Sequence, residues 1–377
     1  MLAFFATMVA RLAISPVVPD IVDAFDVSHG LVGLALSGMW AAYALSQFPS
    51  GVLGDRYGER VVILTAVGGT AVASLLLALS PSFALFALVA VGLGAAAGLH
   101  YSVATTLLTR QFDDIGRAIG VHVAGGPLAG LLAPIAAAAV GARYGWQAAI
   151  ATGAAVAIPV FILFAWRVER TEPRVPDEPI RERVALDGLR ELLTRPEIAY
   201  TTGLAIIGAF TWQATASFLP AFLEEGQAFS RTMAGALFSL YFVVHGATQP
   251  LLGALSDRYS RDAAVAGTMV MGTGGYLLLV GANGTATTVL AVVVVGVSMS
   301  WGAPLQSRFM DNLADAERGR GFGLVRTVYM TVGAAGSVVV GALADLVGWE
   351  VAFGLLAVVM GIALAAIVTN RLFSLGY

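Results

Sequence analysis

Two stretches decide the architecture: Ser46–Arg60, SQFPSGVLGDRYGER, and Thr248–Asp262, TQPLLGALSDRYSRD. A shift of 202 residues lays Gln47 on Gln249, Gly51 on Gly253, Leu53 on Leu255, and Asp55-Arg56-Tyr57 on Asp257-Arg258-Tyr259. The same shift pairs Ser15 with Ser217, Ser28 with Ser230 and Gly33 with Gly235. A shift of 203 pairs Gly116-Arg117 with Gly319-Arg320, Gly120 with Gly323, and Gly145-Trp146 with Gly348-Trp349. Charged and aromatic residues matching in one order mark an internal duplication.

Both copies lie in a very apolar chain. Of 377 residues, 58% are hydrophobic and 12% charged, where soluble domains carry about 25% charge. The mean hydropathy is +0.82. This excludes a soluble body, a disordered chain and a nucleic-acid-binding protein, and the absence of cysteine excludes a disulfide scaffold. Apolar runs fall at 1–23, 28–53, 61–80, 82–109, 118–140 and 146–166, then at 198–223, 229–254, 263–281, 285–309, 321–344 and 349–369. Each reaches roughly the 20 residues that a membrane crossing needs. The first run passes into Asp20, Asp23 and Asp26 without a small-residue cleavage site, so it reads as a span. Six spans are an even number, so the duplicated copies run parallel. The expected fold is an all-α membrane protein of twelve transmembrane helices in two pseudo-symmetric six-helix bundles. These are residues 1–166 and 198–377, joined by a polar middle loop, 167–197.

Arginine gives the orientation. All 21 basic residues are Arg. Seventeen fall in alternate loops, the middle segment and the tail; only Arg143 and Arg231 fall in the other loops. By the positive-inside rule, both termini and the middle loop are expected on the cytoplasmic side of the cell membrane. In the middle loop, Pro173, Pro176 and Pro179 predict an irregular start. Leu186, Leu189 and Leu193 then predict a short amphipathic helix at the membrane surface.

The motif turns carry their own chemistry. Gly51, Gly58 and Gly253 let helix ends approach closely. Asp55 and Asp257 suit helix N-termini, while Arg56, Arg60 and Arg258 suit helix C-terminal carbonyls and headgroups. The sequence Gly51 to Arg60 resembles motif A of the major facilitator superfamily, and Gly253 to Arg261 resembles a degenerate copy with Ser256 and Ser260. The resemblance covers essentially the whole chain. It implies an alternating-access transporter whose motif A charges latch the halves in the outward-facing state. Gly126-Pro127-x-x-Gly130 resembles the core of that family's motif C, associated with antiporters, with Leu131 where a second glycine is usual. Near Gly92-x-Gly94, Leu88 stands where many proton-coupled members carry Arg.

Ionisable groups within a span are costly, about 2.5–3.5 kcal/mol for a central Arg on insertion scales, and so mark cavities. Arg11 and Arg326 are the two within spans, with Ser15 and Tyr329 about a turn away, and no Asp or Glu lies as deep. Fixed positive charge favours anionic or neutral polar solutes. Trp40, Tyr43 and Gln47 share one helix face, and Phe242, His245 and Gln249 repeat it; Trp212, Gln213 and Trp301 are further cavity candidates. His100, His122, His245 and Asp20 are candidate proton carriers. The histidines lack metal-ligand spacing, and no catalytic motif is present, so neither metal, cofactor nor enzyme activity is expected. The expected protein is a monomeric secondary transporter in the lipid bilayer. Its substrate would be a small organic anion or neutral polar solute, with protons or sodium as candidate coupling ions. Drug efflux by proton antiport, a substrate sensor and a channel on the same fold are the alternatives.

Overall fold

The computed structural model describes residues 1–176, 188–314 and 317–377. These form twelve long helical rods and no strand. Spans 1 to 6 are Leu2–Phe25, His29–Tyr57, Glu59–Ala78, Phe83–Gln111, Ile115–Tyr144 and Trp146–Arg167. Spans 7 to 12 are Pro196–Gly226, Arg231–Arg258, Arg261–Val280, Thr285–Asn312, Gly321–Val347 and Trp349–Leu372. Eleven of them are apolar enough to cross a bilayer by length and composition. Span 8, with 28 residues, is long enough, but His245, Thr248, Gln249, Asp257 and Arg258 make it more polar than its neighbours.

The repeat has local causes. Ser28 and Ser230 are both N-caps, accepting from the N–H of Leu31 and Met233. Gly145 and Gly348 both precede the last span of their copy with φ of +86° and +91°, a conformation that disfavours any side chain. Span 1 is broken by Pro16 and Pro19 into a helix, a 3-10 turn at Ser15–Val17, and a second helix. Leucines 79, 88, 346 and 372 lie exposed on the outer surface, which suits lipid contact rather than water. Leu88 is therefore an outer-face residue and does not approach the interior.

Spans 2 and 11 pack along each other, as do spans 5 and 8. These two seams exchange under the repeat and join the first six spans to the last six. The amphipathic-helix expectation falls partly on 181–187, including Leu186, which lie outside the described residues. The described part, Leu189–Thr194, packs on spans 7 and 11 through buried Leu192. Leu189 and Leu193 are half-buried beside it. Protein contact thus covers part of the apolar side of this short helix.

Candidate functional site

One end of the bundle is shut by contacts between the first and last six spans. Arg231 donates to both oxygens of Asp20, at 2.6 and 2.7 Å, and also to Glu224. His29 lies between Asp345 and Glu225, its Nδ1 and Nε2 at 2.9 and 3.0 Å from their oxygens. About two turns deeper, Ser37 donates to the Ala334 carbonyl at 2.6 Å and accepts from the Val338 N–H. Deeper still, the Trp40 indole N–H donates to Ser217, which pairs with Ser337. Ser15 donates to the Ala216 carbonyl. Ser15 is thus part of this plug and not of the cavity wall. Asp20 is held by Arg231 at the same end.

Below the plug lies a cavity of about 280 Å³. Arg11, Trp40, Tyr43, Trp212, Gln213, His245, Gln249, Trp301, Arg326 and Tyr329 all line it. Gln47 lines a second cavity, of about 200 Å³, that shares Arg326 with the first. The sequence order therefore folds two remote repeat copies onto one space.

Arg11 is 1% exposed. Its Nε donates to the Thr7 carbonyl at 3.1 Å and Nη2 to Met8 Sδ. Its guanidinium lies 3.9 Å from the Tyr43 ring centroid and 5.3 Å from that of Trp40. Arg326 donates to Gln47 Oε1 at 2.7 Å and lies 5.3 Å from the Tyr101 ring centroid. Among the described residues, no Asp or Glu forms an ion pair with either arginine. Their neighbours are aromatic faces, the Tyr43 and Tyr329 hydroxyls, a thioether, a carbonyl and an amide, all neutral acceptors. Each charge is therefore solvated by dipoles and ring quadrupoles, without a counter-charge.

Phe242, on the repeated face, also lines the cavity. Some wall residues carry no sequence signal of their own: Phe4, Tyr101 and Met330 complete the wall. Periodicity alone does not separate a cavity aromatic from a core one. The Gln213 side chain donates to the Met330 carbonyl, while its Oε1 and the Trp301 Nε1 are buried without partners among the described residues.

The candidate proton carriers fall in different places. His245 is a wall residue. His100 and His122, which sequence spacing leaves apart, stack with ring centroids 5.3 Å apart and both contact Phe4. His100 does not line the cavity. The His100 Nδ1 and His122 Nε2 have no hydrogen-bond partner among the described residues.

The motif A turn is tied to the chain that follows span 6. Arg60 donates to the carbonyls of Val168 and Ala165 at 2.7 and 2.6 Å, and its N–H donates to Thr171 Oγ1. The Arg174 N–H donates to the Asp55 carbonyl at 2.7 Å. Gly58 has φ +85°, and a Cβ there would strike the Thr171 carbonyl, so the segment can pass only over glycine. Glu59, missed by motif reading, pairs with Arg110 at 2.6 Å. In the second copy, Arg261 pairs with Asp257 and Asp311. Gly253 faces Ala303, Arg258 lies over Tyr259, and Arg56 lies over Tyr57. Gly51 has open space around it. The motif C-like residues lie on the seam between spans 5 and 8. Gly126 and Pro127 line the cavity, and Gly130 abuts Phe242.

This arrangement has relatives. The chain is 26% identical over 277 residues to the uncharacterized MFS-type transporter YceJ of Bacillus subtilis, covering 71% of this chain and 66% of that one. It is 23% identical over 410 residues to the probable sulfoacetate transporter SauU of Cupriavidus necator, covering 98% and 92%. The crystal structure of a mutant form of the nucleoside transporter NupG superposes with a TM-score of 0.84 at 15% identity, covering 98% and 97%, and so shares the fold. A family model for the Major Facilitator Superfamily matches residues 1–230 and again 201–373. With both copies matched and one cavity between them, the chain belongs to the major facilitator superfamily.

Proposed function

We propose that this protein is a secondary transporter of a small organic anion, working by alternating access about the cavity. Residues 1–166 and 198–377 would rock as two bodies. The observation that carries the reading is the pair Arg11 and Arg326 in one aromatic cavity without an acidic partner among the described residues. A buried guanidinium without a counter-charge is costly, and an anionic solute supplies what is missing. Similarity to a probable sulfoacetate transporter supports the same class.

The closed end carries the acidic loops and the other end the arginine-rich ones. By the positive-inside rule this conformation is inward-facing, with both termini cytoplasmic, in a bacterial inner membrane. Here Asp55 and Arg60 hold the segment after span 6, which fits motif A charges whose latch across the halves belongs to the outward-facing state. His245 and the His100–His122 stack are the groups placed to carry a coupling proton.

The test is solute exchange by the purified protein in proteoliposomes. Saturable uptake of organic anions that Arg11→Gln weakens at least tenfold is the expected result. Anion exchange with affinity unchanged by Arg11→Gln would remove the anion site from this cavity. Exchange of drug-like cations alone would assign the protein to efflux, and continuous single-channel currents would make it a channel.

A further inference from the structure

The two arginines come from opposite repeats. Arg11 belongs to span 1 and Arg326 to span 11, yet one small cavity receives both. Tyr43 lines the same cavity as both charges, and the Arg11 guanidinium stacks on its ring. Guanidinium groups do not lose their protons in proteins, so both charges are present at every physiological pH. The remaining polar wall groups include Tyr101, Gln213, His245, Gln249, the Trp301 indole and Tyr329, and with His245 neutral none of them carries a formal charge. One monoanion would leave one cation uncompensated; two negative groups on one solute would balance both.

Geometry adds a consequence. Arg326 spends one N–H on Gln47 of the opposite half, and Arg11 spends its Nε and Nη2 on its own helix. Each retains further donors for a carboxylate, sulfonate or phosphonate, which guanidinium binds in a forked pair. Trp212, Phe242 and Trp301 line the same cavity with apolar rings. A solute with an anionic group at each end would therefore form a strut from the first half to the second. A solute with one anionic group leaves one of the two charges without a partner. A ligand shifts a conformational equilibrium only by its difference in affinity for the two states, and a strut held by both halves has such a difference built in.

We propose that the transported solute is a compact dianion. One anionic group lies on Arg11 and the other on Arg326, and this bridge between the halves distinguishes a transported solute from a merely bound one. The proposal rests on the anion-carrier reading above and narrows it.

The test uses matched probes on the full chain in proteoliposomes: phthalate against benzoate, succinate against monomethyl succinate, and sulfoacetate against acetate. Thermal stabilisation reports binding and counterflow reports transport. At least one dianion is expected to stabilise the protein and to exchange, with its monoanionic partner binding at least tenfold more weakly and not exchanging. Arg11→Gln and Arg326→Gln should each weaken the dianion at least tenfold and abolish its exchange. Arg11→Lys and Arg326→Lys keep the charge and should retain measurable dianion exchange, which separates charge from folding. Equal exchange of a dianion and its monoanionic partner would overturn the bridge and leave the anion carrier standing. So would dianion affinity unchanged in Arg326→Gln. Failure of every anion of either charge, with exchange of neutral or cationic solutes, would overturn both readings.

Discussion

Arg326 of span 11 and Gln47 of span 2 are joined by a hydrogen bond of 2.7 Å from guanidinium to amide oxygen. The bond crosses between the two repeats at the boundary of the two cavities. A neutral amide there satisfies one donor and leaves the positive charge uncompensated. Gln47→Glu would place a carboxylate on the same atom with almost no change of shape. It is expected to act as a tethered competitor, lowering organic-anion affinity at least tenfold, or about 1.4 kcal/mol. The thermal midpoint should hold or rise, because the charge gains a partner. Isothermal titration and a melting curve check the two halves of the claim. Undiminished anion affinity would show that Arg326 is not part of the site.

At the closed end, both ring nitrogens of His29 face carboxylates, at 2.9 Å from Asp345 and 3.0 Å from Glu225. Donating to both at once requires the imidazolium form. Asp345 also accepts from the backbone N–H of His29 and Gly30. His29→Ala removes the charge-assisted bonds to both acids and is expected to loosen the plug by roughly 1.5–3 kcal/mol. The chain contains no cysteine, so Ser37→Cys places a unique thiol behind that plug. Its labelling by an impermeant maleimide, added on the His29 side, should rise about tenfold or more in His29→Ala. No change in rate would mean that the deeper Trp40 and Ser15 contacts alone hold the end shut.

The spans, the duplication and most of the wall were legible because they rest on local rules. Hydropathy marks each run, Ser28 and Ser230 cap helices, and Gly145 and Gly348 turn them. Trp40 and Tyr43 were legible as one helix face, and Arg11 and Arg326 as charges inside spans. The His100–His122 stack was not legible, because it depends on how spans 4 and 5 dock. Nor was the His29 cluster, whose three members come from three spans. Ser15 misled because polarity near mid-span marks a plug contact as readily as a cavity wall. The segment after span 6 gave no sign that it would bind the motif A turn, since Thr171 and Arg174 look like any polar linker.

Tyr43 tests how the buried Arg11 is tolerated. The guanidinium stacks 3.9 Å from the ring centroid, and a desolvated cation–π contact contributes about 2 kcal/mol. Tyr43→Leu is expected to lower the thermal midpoint and to raise the cost of the empty site by about that amount. Tyr43→Phe keeps the ring and should behave nearly as the parent protein. Melting curves in one detergent order the three. Equal losses in Leu and Phe variants would assign the effect to the hydroxyl instead of the ring face.

The connecting helix gives a pH prediction outside the membrane. Arg195 donates Nη1 and Nη2 to the two oxygens of Glu317, each at 2.8 Å, and holds that carboxyl below the usual carboxylate range. A lowered carboxyl contributes stability above its ordinary value, about 4.3, and loses it as pH falls through the lowered one. The tether of Leu189–Thr194 to the rest of the protein should therefore be constant from about pH 5 to 8 and fail only below about pH 4. Hydrogen exchange of the Leu192 amide, which donates to Gly188, reads this directly after correction for intrinsic rates. Glu317→Gln should reproduce the low-pH exchange at pH 7 while leaving protection of the span amides unchanged. A step in protection near pH 6–7 would instead point to a histidine, and none contacts this helix among the described residues.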